Sequence, residues 1–142
     1  MGLYGIGQAV PREEDPRLLK GRGRYCADLP MARETRAVVL RSPHAHAAIA
    51  ALDTRASQQM PGVLAVLTGE DLRRRGLGSL RPAVPRKRSS GAPAYIAPQP
   101  LLAQDRVRFV GEPVALVVAE TLDLARDAAE RIEVSYEALP AV

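Results

Sequence analysis

The chain has 142 residues, 46% of them hydrophobic, with one phenylalanine and no tryptophan. This length fits one domain, or one domain with tails, and a core of small aliphatic side chains makes independent folding marginal. The net charge of +4 is local, because residues 76–100 carry four basic residues and no acid. Without those four, 16 basic residues balance 16 acidic ones, so a protein that is basic over its whole surface is excluded.

Cysteine content and hydropathy indicate the cellular compartment. The single cysteine, Cys26, excludes an internal disulfide and suits a reducing compartment. No apolar run approaches the roughly 18 residues that a membrane span needs, and the N-terminus lacks the pattern of an export signal. We therefore expect a cytoplasmic protein without a membrane span.

The N-terminal part is predicted to be irregular. Residues 1–20 are expected to form an arm, extended over its first ten residues, and 21–142 a single domain. Asp15-Pro16 favours a turn, and Arg24-Tyr25 is expected to be a short strand. The glycines and arginines at 21–24 could suggest phosphate binding. A surface turn is the better interpretation, because the acids nearby cancel the field that a phosphate needs.

Between residues 36 and 76 the pattern predicts three strands and two short helices. The strands are expected at 36–41, 45–52 and 63–67. Asp53 or Thr54 can cap the first helix. Thr68 and Asp71 resemble a capping box for the second. Its last turn carries arginines 73–75, which suit a helix C-terminus better than a ligand site.

Residues 76–100 are predicted to be a long surface loop. They hold five prolines, three glycines and three serines. We expect this loop to be mobile, and it could equally be functional or a family-variable insertion. Arg86-Lys87-Arg88 resembles a nuclear localisation patch but is too short to indicate one. Nucleic-acid binding by residues 81–88 is disfavoured because aromatic residues are not interleaved with the basic ones.

The C-terminal third is organised around an apolar stretch at 114–119. Its β-branched residues are typical of a strand buried on both faces. Thr121 can cap a helix over 122–131, with one apolar face formed by Leu122, Ala125, Ala128, Ala129 and Ile132. A half-exposed strand follows over 132–137. This order predicts a βαβ unit with a right-handed crossover, and hence an α/β (α+β) domain with a mixed sheet.

Four residues are candidates for chemistry. His44 and His46 would share one face of a strand and could bind one metal ion, but further ligands at zinc spacing are absent nearby. Hydrogen bonds to backbone or to a partner are the favoured alternative. Glu112, in a tight turn, could be catalytic or could hold the turn through backbone N–H groups, which we favour. Cys26 is expected to be a small buried or half-buried residue. We therefore assign no catalytic, cofactor-binding or metal site.

Five sequence blocks, in this order, resemble a known family. They are Glu-Asp-Pro-Arg-Leu-Leu-Lys-Gly-Arg-Gly-Arg-Tyr (14–25), Arg-Ser-Pro-His-Ala-His-Ala (41–47), Pro-Gly-Val-Leu-Ala-Val-Leu-Thr-Gly-Glu-Asp-Leu (61–72), Val-Arg-Phe-Val-Gly-Glu-Pro-Val-Ala-Leu-Val-Val-Ala-Glu-Thr (107–121) and Ala-Ala-Glu-Arg-Ile-Glu-Val-Ser-Tyr-Glu-Ala-Leu-Pro-Ala-Val (128–142). Together they resemble the N-terminal α/β hammerhead domain of the xanthine dehydrogenase and aldehyde oxidase family. The opening block is most similar to carbon monoxide dehydrogenase-like large subunits. Cys26 and Lys20 depart from the family pattern and leave the substrate open.

The resemblance implies a role within a larger enzyme. Large subunits of that family carry molybdopterin, often as the cytosine dinucleotide, and pass electrons to iron–sulfur and flavin partners. Their cofactor contacts and catalytic glutamate follow this domain, so none is carried over to this chain. The leading hypothesis is a scaffold domain of a truncated or split large subunit, inactive alone. The alternative is a free-standing binding module that kept the fold.

Overall fold

The computed structural model describes residues 11–84 and 86–141. The chain divides into two compact units, one ending at Glu34 and the other beginning at Thr35. The predicted extended arm at 1–10 lies outside the described residues. The predicted division between an arm of 20 residues and a domain over 21–142 stays a prediction.

Residues 11–34, the described part of the first unit, contain two single-turn helices. Helix α1 spans Asp15–Leu18 with a proline in its first turn, a position where the missing N–H is not needed. A 3₁₀ helix spans Cys26–Asp28. The predicted strand at Arg24-Tyr25 is wrong, because the Asp28 carboxylate accepts a hydrogen bond from the Tyr25 N–H at 3.0 Å. This local bond stabilises a turn. In a strand, the same N–H would instead be available to a neighbouring strand.

The second unit contains two antiparallel sheets of three strands each. Its strands are β1 (Arg36–Arg41), β2 (Ala47–Asp53), β3 (Val63–Thr68), β4 (Arg106–Val107), β5 (Pro113–Ala119) and β6 (Glu133–Ala138). Its helices are α2 (Arg55–Gln58), α3 (Gly69–Arg74) and α4 (Leu122–Glu130). The first sheet has the order β1-β5-β3 and the second β4-β2-β6. All strand pairs are antiparallel.

The predicted βαβ units and mixed sheet are wrong, although the order strand, helix, strand is correct. Strand β5 pairs with β1 on one edge and β3 on the other. No edge of β5 is therefore free for β6, which pairs with β2 in the second sheet. The connection β2-α2-β3 likewise passes from one sheet to the other. Apolar periodicity indicates the type of each element but not the strand with which it pairs.

Helix α4 packs its alanine face on the first sheet. The Thr121 hydroxyl accepts a hydrogen bond from the Leu124 N–H at 3.2 Å, which confirms the predicted cap. Ala125 and Ala128 are fully buried in a cluster with the β5 residues and with Ile132. Leu122 is exposed, contrary to the prediction, since it is the first helical residue. Leu124 packs against the cluster instead.

A second apolar cluster combines residues of both sheets with one loop residue. It contains Ala47, Ala103, Val107 and Val114. Leu52 and Val134 pack against both clusters, so the two sheets share one continuous core of small aliphatic side chains, as the composition predicts.

The predicted capping box is formed at α3, whereas at α2 the N-cap residue Thr54 makes no side-chain cap hydrogen bond. The Thr68 N–H donates to the Asp71 carboxylate at 2.8 Å, and the Asp71 N–H donates back to the Thr68 hydroxyl at 3.4 Å. The Thr68 hydroxyl also donates to the Asp71 carboxylate at 2.7 Å, and this bond, followed by the one from the Thr68 N–H, lowers the pKa of Asp71. Arg73 and Arg74 lie in the last turn of α3, as predicted, and pair with the acids of its first turn, while Arg75 is the C-cap residue. At α2 the Arg55 side chain lowers the pKa of Asp53 to about 2.

Truncating Val117 to alanine is expected to destabilise the chain by about 1–2 kcal/mol, because two fully buried methyl groups are lost. Val118, its neighbour on the opposite face of β5, is only half-buried. The Val118→Ala variant is therefore the matched control, with a smaller loss. Urea melts of both variants test this, and equal midpoints would contradict the placement of Val117 in the core.

The loop at 76–100 begins at Gly76, whose φ of +72° ends α3 in a left-handed conformation. Over its described residues, 76–84 and 86–100, it contains isolated bridges from Leu80 to Gln99 and from Lys87 to Pro93, and no longer strand or helix. The prediction of a loop is confirmed for these residues.

Limited trypsin digestion is expected to cut this loop first, at Arg86, Lys87 or Arg88, because its backbone has few regular hydrogen bonds. Arg81 precedes a proline, a bond that trypsin cleaves poorly. Mass spectrometry of the first fragments checks the result. Earlier cleavage within α4, at Arg126, would contradict it.

Candidate functional site

Three segments that are distant in sequence meet in one place, here named the corner: residues 41–46, 108–112 and 139–141. The Ser42 N–H donates to the Glu112 carbonyl at 2.9 Å, and the Gly111 N–H donates to the Ser42 carbonyl at 2.8 Å. The Leu139 N–H donates to the carbonyl of His46 at 3.0 Å. The corner thus unites residues from three of the five blocks that carry the family resemblance.

Glu112 is the buried acid of the corner, with 4% of its surface exposed. Its carboxylate accepts a hydrogen bond from the Arg108 N–H and lies 3.8 Å from the guanidinium of the same residue. The Glu112 N–H in turn donates to the Phe109 carbonyl at 3.2 Å. The acid therefore holds the turn at 108–112, which is the structural role favoured from the sequence.

Gly111 gives this turn its direction. Its φ is +87°, a left-handed conformation that glycine adopts without a steric cost. The Arg41 guanidinium donates to the Gly111 carbonyl at 2.9 Å. The end of β1 is thereby bonded to the turn that starts β5.

The two histidines have different partners. The His46 Nδ1 lies 2.6 Å from the Pro140 carbonyl, whereas the His44 ring packs against Tyr136 with centroids 4.8 Å apart. The favoured hydrogen bond to backbone is thus seen for His46, and for His44 the contact is between rings. Among residues 11–84 and 86–141, no group of three or more His, Cys, Asp or Glu side chains is placed to hold a metal ion.

Ser42 and Tyr136 complete the polar part of the corner. The Ser42 hydroxyl donates to the His44 carbonyl at 3.1 Å and accepts from the His44 N–H at 3.0 Å. Both of these partners are backbone groups of His44, unlike the imidazole that activates a nucleophilic serine. Burial raises the pKa of the Tyr136 hydroxyl, and the Ser42 hydroxyl acts in the opposite direction.

The remaining candidates lie outside the corner. Cys26 is exposed, so the prediction of a buried or half-buried residue is wrong, since its 3₁₀ turn carries it on the surface. Gly21 has a φ of +65°, and its N–H donates to the Leu18 carbonyl. A turn after α1 therefore ends at Gly21, in agreement with the predicted surface turn, and residues 22–24 form no helix or strand.

The corner also has an apolar rim that the sequence did not predict. Phe109 and Val110 are 54% and 65% exposed, and with His46 and Pro140 they line a groove of about 490 Å³. Their position directly before Gly111 and Pro113, which mark a turn, was the signal available in the sequence. The corner is therefore a hydrogen-bonded joint beside an uncovered apolar surface.

Two antiparallel sheets, one packed helix and this joint define a small structural α/β domain. The family model described as "Aldehyde oxidase and xanthine dehydrogenase, a/b hammerhead domain" matches residues 20–140. The chain belongs to this family.

Its relatives are much longer proteins. The chain is 43% identical over 137 residues to the nicotine 6-hydroxylase large subunit of Paenarthrobacter nicotinovorans, covering 96% of this chain and 16% of that protein. The crystal structure of quinoline 2-oxidoreductase from Pseudomonas putida 86 matches with a TM-score of 0.83 and 45% identity, over 96% of this chain and 17% of that one. The structure of Cu,Mo-CO dehydrogenase matches with a TM-score of 0.75 and 37% identity, over 97% and 16%. The chain thus spans about a sixth of the length of these relatives.

The helices of the described residues are short. The longest, α4, has 9 residues, and none found in 11–84 and 86–141 has the length and hydropathy that crossing a membrane requires.

Proposed function

We propose that this chain is the scaffold domain of a molybdenum hydroxylase large subunit and supports the part of the enzyme that holds the cofactor. The observation that carries the proposal is the family match over residues 20–140. The names of two relatives support it, because one is a large subunit and the other a Cu,Mo enzyme. The corner supports the proposal, because the side chains of Glu112 and His46 form hydrogen bonds to backbone groups. Such bonds are expected of a domain that holds its segments in fixed positions.

The proposed cofactor of the complete enzyme is molybdopterin, as the cytosine dinucleotide, and the proposed partners are iron–sulfur and flavin subunits of a cytoplasmic complex. The residues of this chain do not fit a molybdenum centre. Glu112 is engaged by the Arg108 N–H, the histidines have separate partners, and the single cysteine cannot supply an iron–sulfur cluster. The cofactor contacts would come from the remainder of the large subunit.

The purified chain is accordingly expected to contain no stoichiometric molybdenum and to reduce no dye with aldehydes, purines or carbon monoxide. A hydroxylation at molybdenum needs a held cofactor, a positioned base and an exit path for electrons. Elemental analysis and a dye-reduction assay measure both properties. Molybdenum near one atom per chain, or turnover without another polypeptide, would overturn the scaffold proposal.

A complementation experiment separates the scaffold from the free-standing module. The nicotine 6-hydroxylase large subunit is produced without its own matching segment, and this chain is supplied on a second gene. Copurification, with partial recovery of molybdenum content, is expected of a scaffold. The same truncated subunit with an unrelated domain of similar size is the control. A chain that stays separate while the native segment restores binding would favour the module.

A further inference from the structure

The loop at 76–100, here named the basic loop, doubles back on itself over its described residues. The Leu80 N–H donates to the Gln99 carbonyl at 2.8 Å and closes its base. Nearer its tip, the Ala94 N–H donates to the Arg86 carbonyl at 2.9 Å and the Arg88 N–H donates to the Ala92 carbonyl at 2.8 Å. These bonds bring the two arms of the loop side by side.

A groove of about 540 Å³ runs between the arms. Apolar side chains form much of its wall, and several are strongly exposed: Val84 at 74%, Tyr95 at 77% and Ile96 at 46%. Exposed apolar side chains gathered in one place are typical of surfaces that bind a partner. The volume is sufficient for one or two large side chains of a partner.

The charge of the basic loop is uncompensated. Arg81 and Arg86 line the groove, and Lys87 and Arg88 lie beyond them. None of the four forms an ion pair among the described residues, in contrast to Arg73, Arg74 and Arg106, which pair with acids of their own segments. Positive charge and apolar surface therefore occur together without an internal partner for either.

We propose that this groove binds an acidic segment of a partner polypeptide, with an aromatic or aliphatic side chain between Val84 and Tyr95 and carboxylates on Arg81 and Arg86. An arginine guanidinium matches a carboxylate in a two-bond geometry, while the apolar wall requires an apolar side chain beside the acids. Nucleic acid fits less well, because stacking of successive bases requires several aromatic side chains, whereas Tyr95 is the single aromatic residue among the described residues that line the groove. The proposal goes beyond the scaffold function and does not depend on it.

Fluorescence anisotropy with the full 142-residue chain provides the test. The probes are a labelled random copolymer of glutamate and tyrosine, polyglutamate of matched length and a single-stranded DNA oligonucleotide. The copolymer is expected to bind about tenfold more tightly than polyglutamate, because only it can fill the apolar part of the groove. Binding should weaken as salt is raised, since the arginines are exposed.

Two paired variants separate the contributions. Arg81→Glu with Arg86→Glu should weaken copolymer and polyglutamate by about tenfold or more. Tyr95→Ala with Val84→Ala should remove the preference for the copolymer and leave polyglutamate binding unchanged. The matched control, Lys20→Glu with Arg22→Glu, makes the same change in net charge at exposed positions outside the loop and should have little effect.

Several outcomes would overturn the proposal. Equal binding of polyglutamate and the copolymer, or an equal loss in the control variant, would mean general attraction to polyanions. Tighter binding of DNA would mean a nucleic-acid surface. Concentration-dependent dimers that Tyr95→Ala abolishes would mean a second copy of the chain. Absence of copolymer binding at low salt would exclude the groove as a site for acidic segments.

Discussion

Glu112→Ala is expected to lower the free energy of unfolding by about 3 kcal/mol, at the upper end for the loss of a hydrogen bond to a charged group. The carboxylate is buried and is the acceptor for the Arg108 N–H. Alanine would leave that amide without its acceptor in the turn that starts β5, the central strand of the first sheet. Denaturant unfolding followed by circular dichroism measures the effect.

Two control variants define the cause. Glu112→Gln keeps an oxygen acceptor but loses the charge, so it should fall between the parent and Glu112→Ala. Glu130→Ala removes an exposed acid from α4 and should change stability by no more than about 0.5 kcal/mol. If Glu112→Ala unfolded at the same denaturant concentration as Glu130→Ala, the acid would not hold the corner.

Local signals in the sequence predict the elements of this fold closely. Strand β1 has the predicted limits, 36–41. The caps at Thr68 and Thr121 are both formed, because a cap depends on residues within one helical turn. The five sequence blocks of this chain that resemble the family indicated the hammerhead domain, which the family match over 20–140 confirms.

Pairing between strands was not predictable in the same way. The apolar stretch at 114–119 indicates a buried strand whether its neighbours are parallel or antiparallel, so the choice of β1 and β3 as neighbours depends on contacts across many residues. The 3₁₀ turn at Cys26–Asp28 was missed because a single side-chain bond decides it. The corner was missed as a unit because its three segments come together only when both sheets form.

The site candidates show the same limit. His44 and His46 have the spacing that places two metal ligands on one face of a strand. In the structure, however, His44 contacts the Tyr136 ring and His46 the Pro140 carbonyl. Spacing places two side chains on a common face but does not fix what lies opposite them. Glu112 was correctly interpreted because its turn residues, Gly111 and Pro113, left few donors other than nearby backbone N–H groups.

Gly69→Ala is expected to destabilise the chain by about 3 kcal/mol, the upper end of the usual cost of overpacking. A Cβ at this position would lie 2.3 Å from the Ala103 carbonyl oxygen and 2.9 Å from its carbon. Both atoms are backbone, and the Ala103 N–H is bonded to the Pro113 carbonyl at 2.7 Å. The segment at Ala103 therefore cannot move away without breaking its bond to β5.

Gly78→Ala is the matched control, because a Cβ there meets no atom within 4 Å. It should change stability by no more than about 0.5 kcal/mol. Hydrogen exchange gives a second measurement: the Ala103 amide should exchange faster in Gly69→Ala and unchanged in Gly78→Ala, since only the former displaces α3 from this segment. Equal melting of the two variants, with equal protection of the Ala103 amide, would show that α3 and residue 103 are not in close contact.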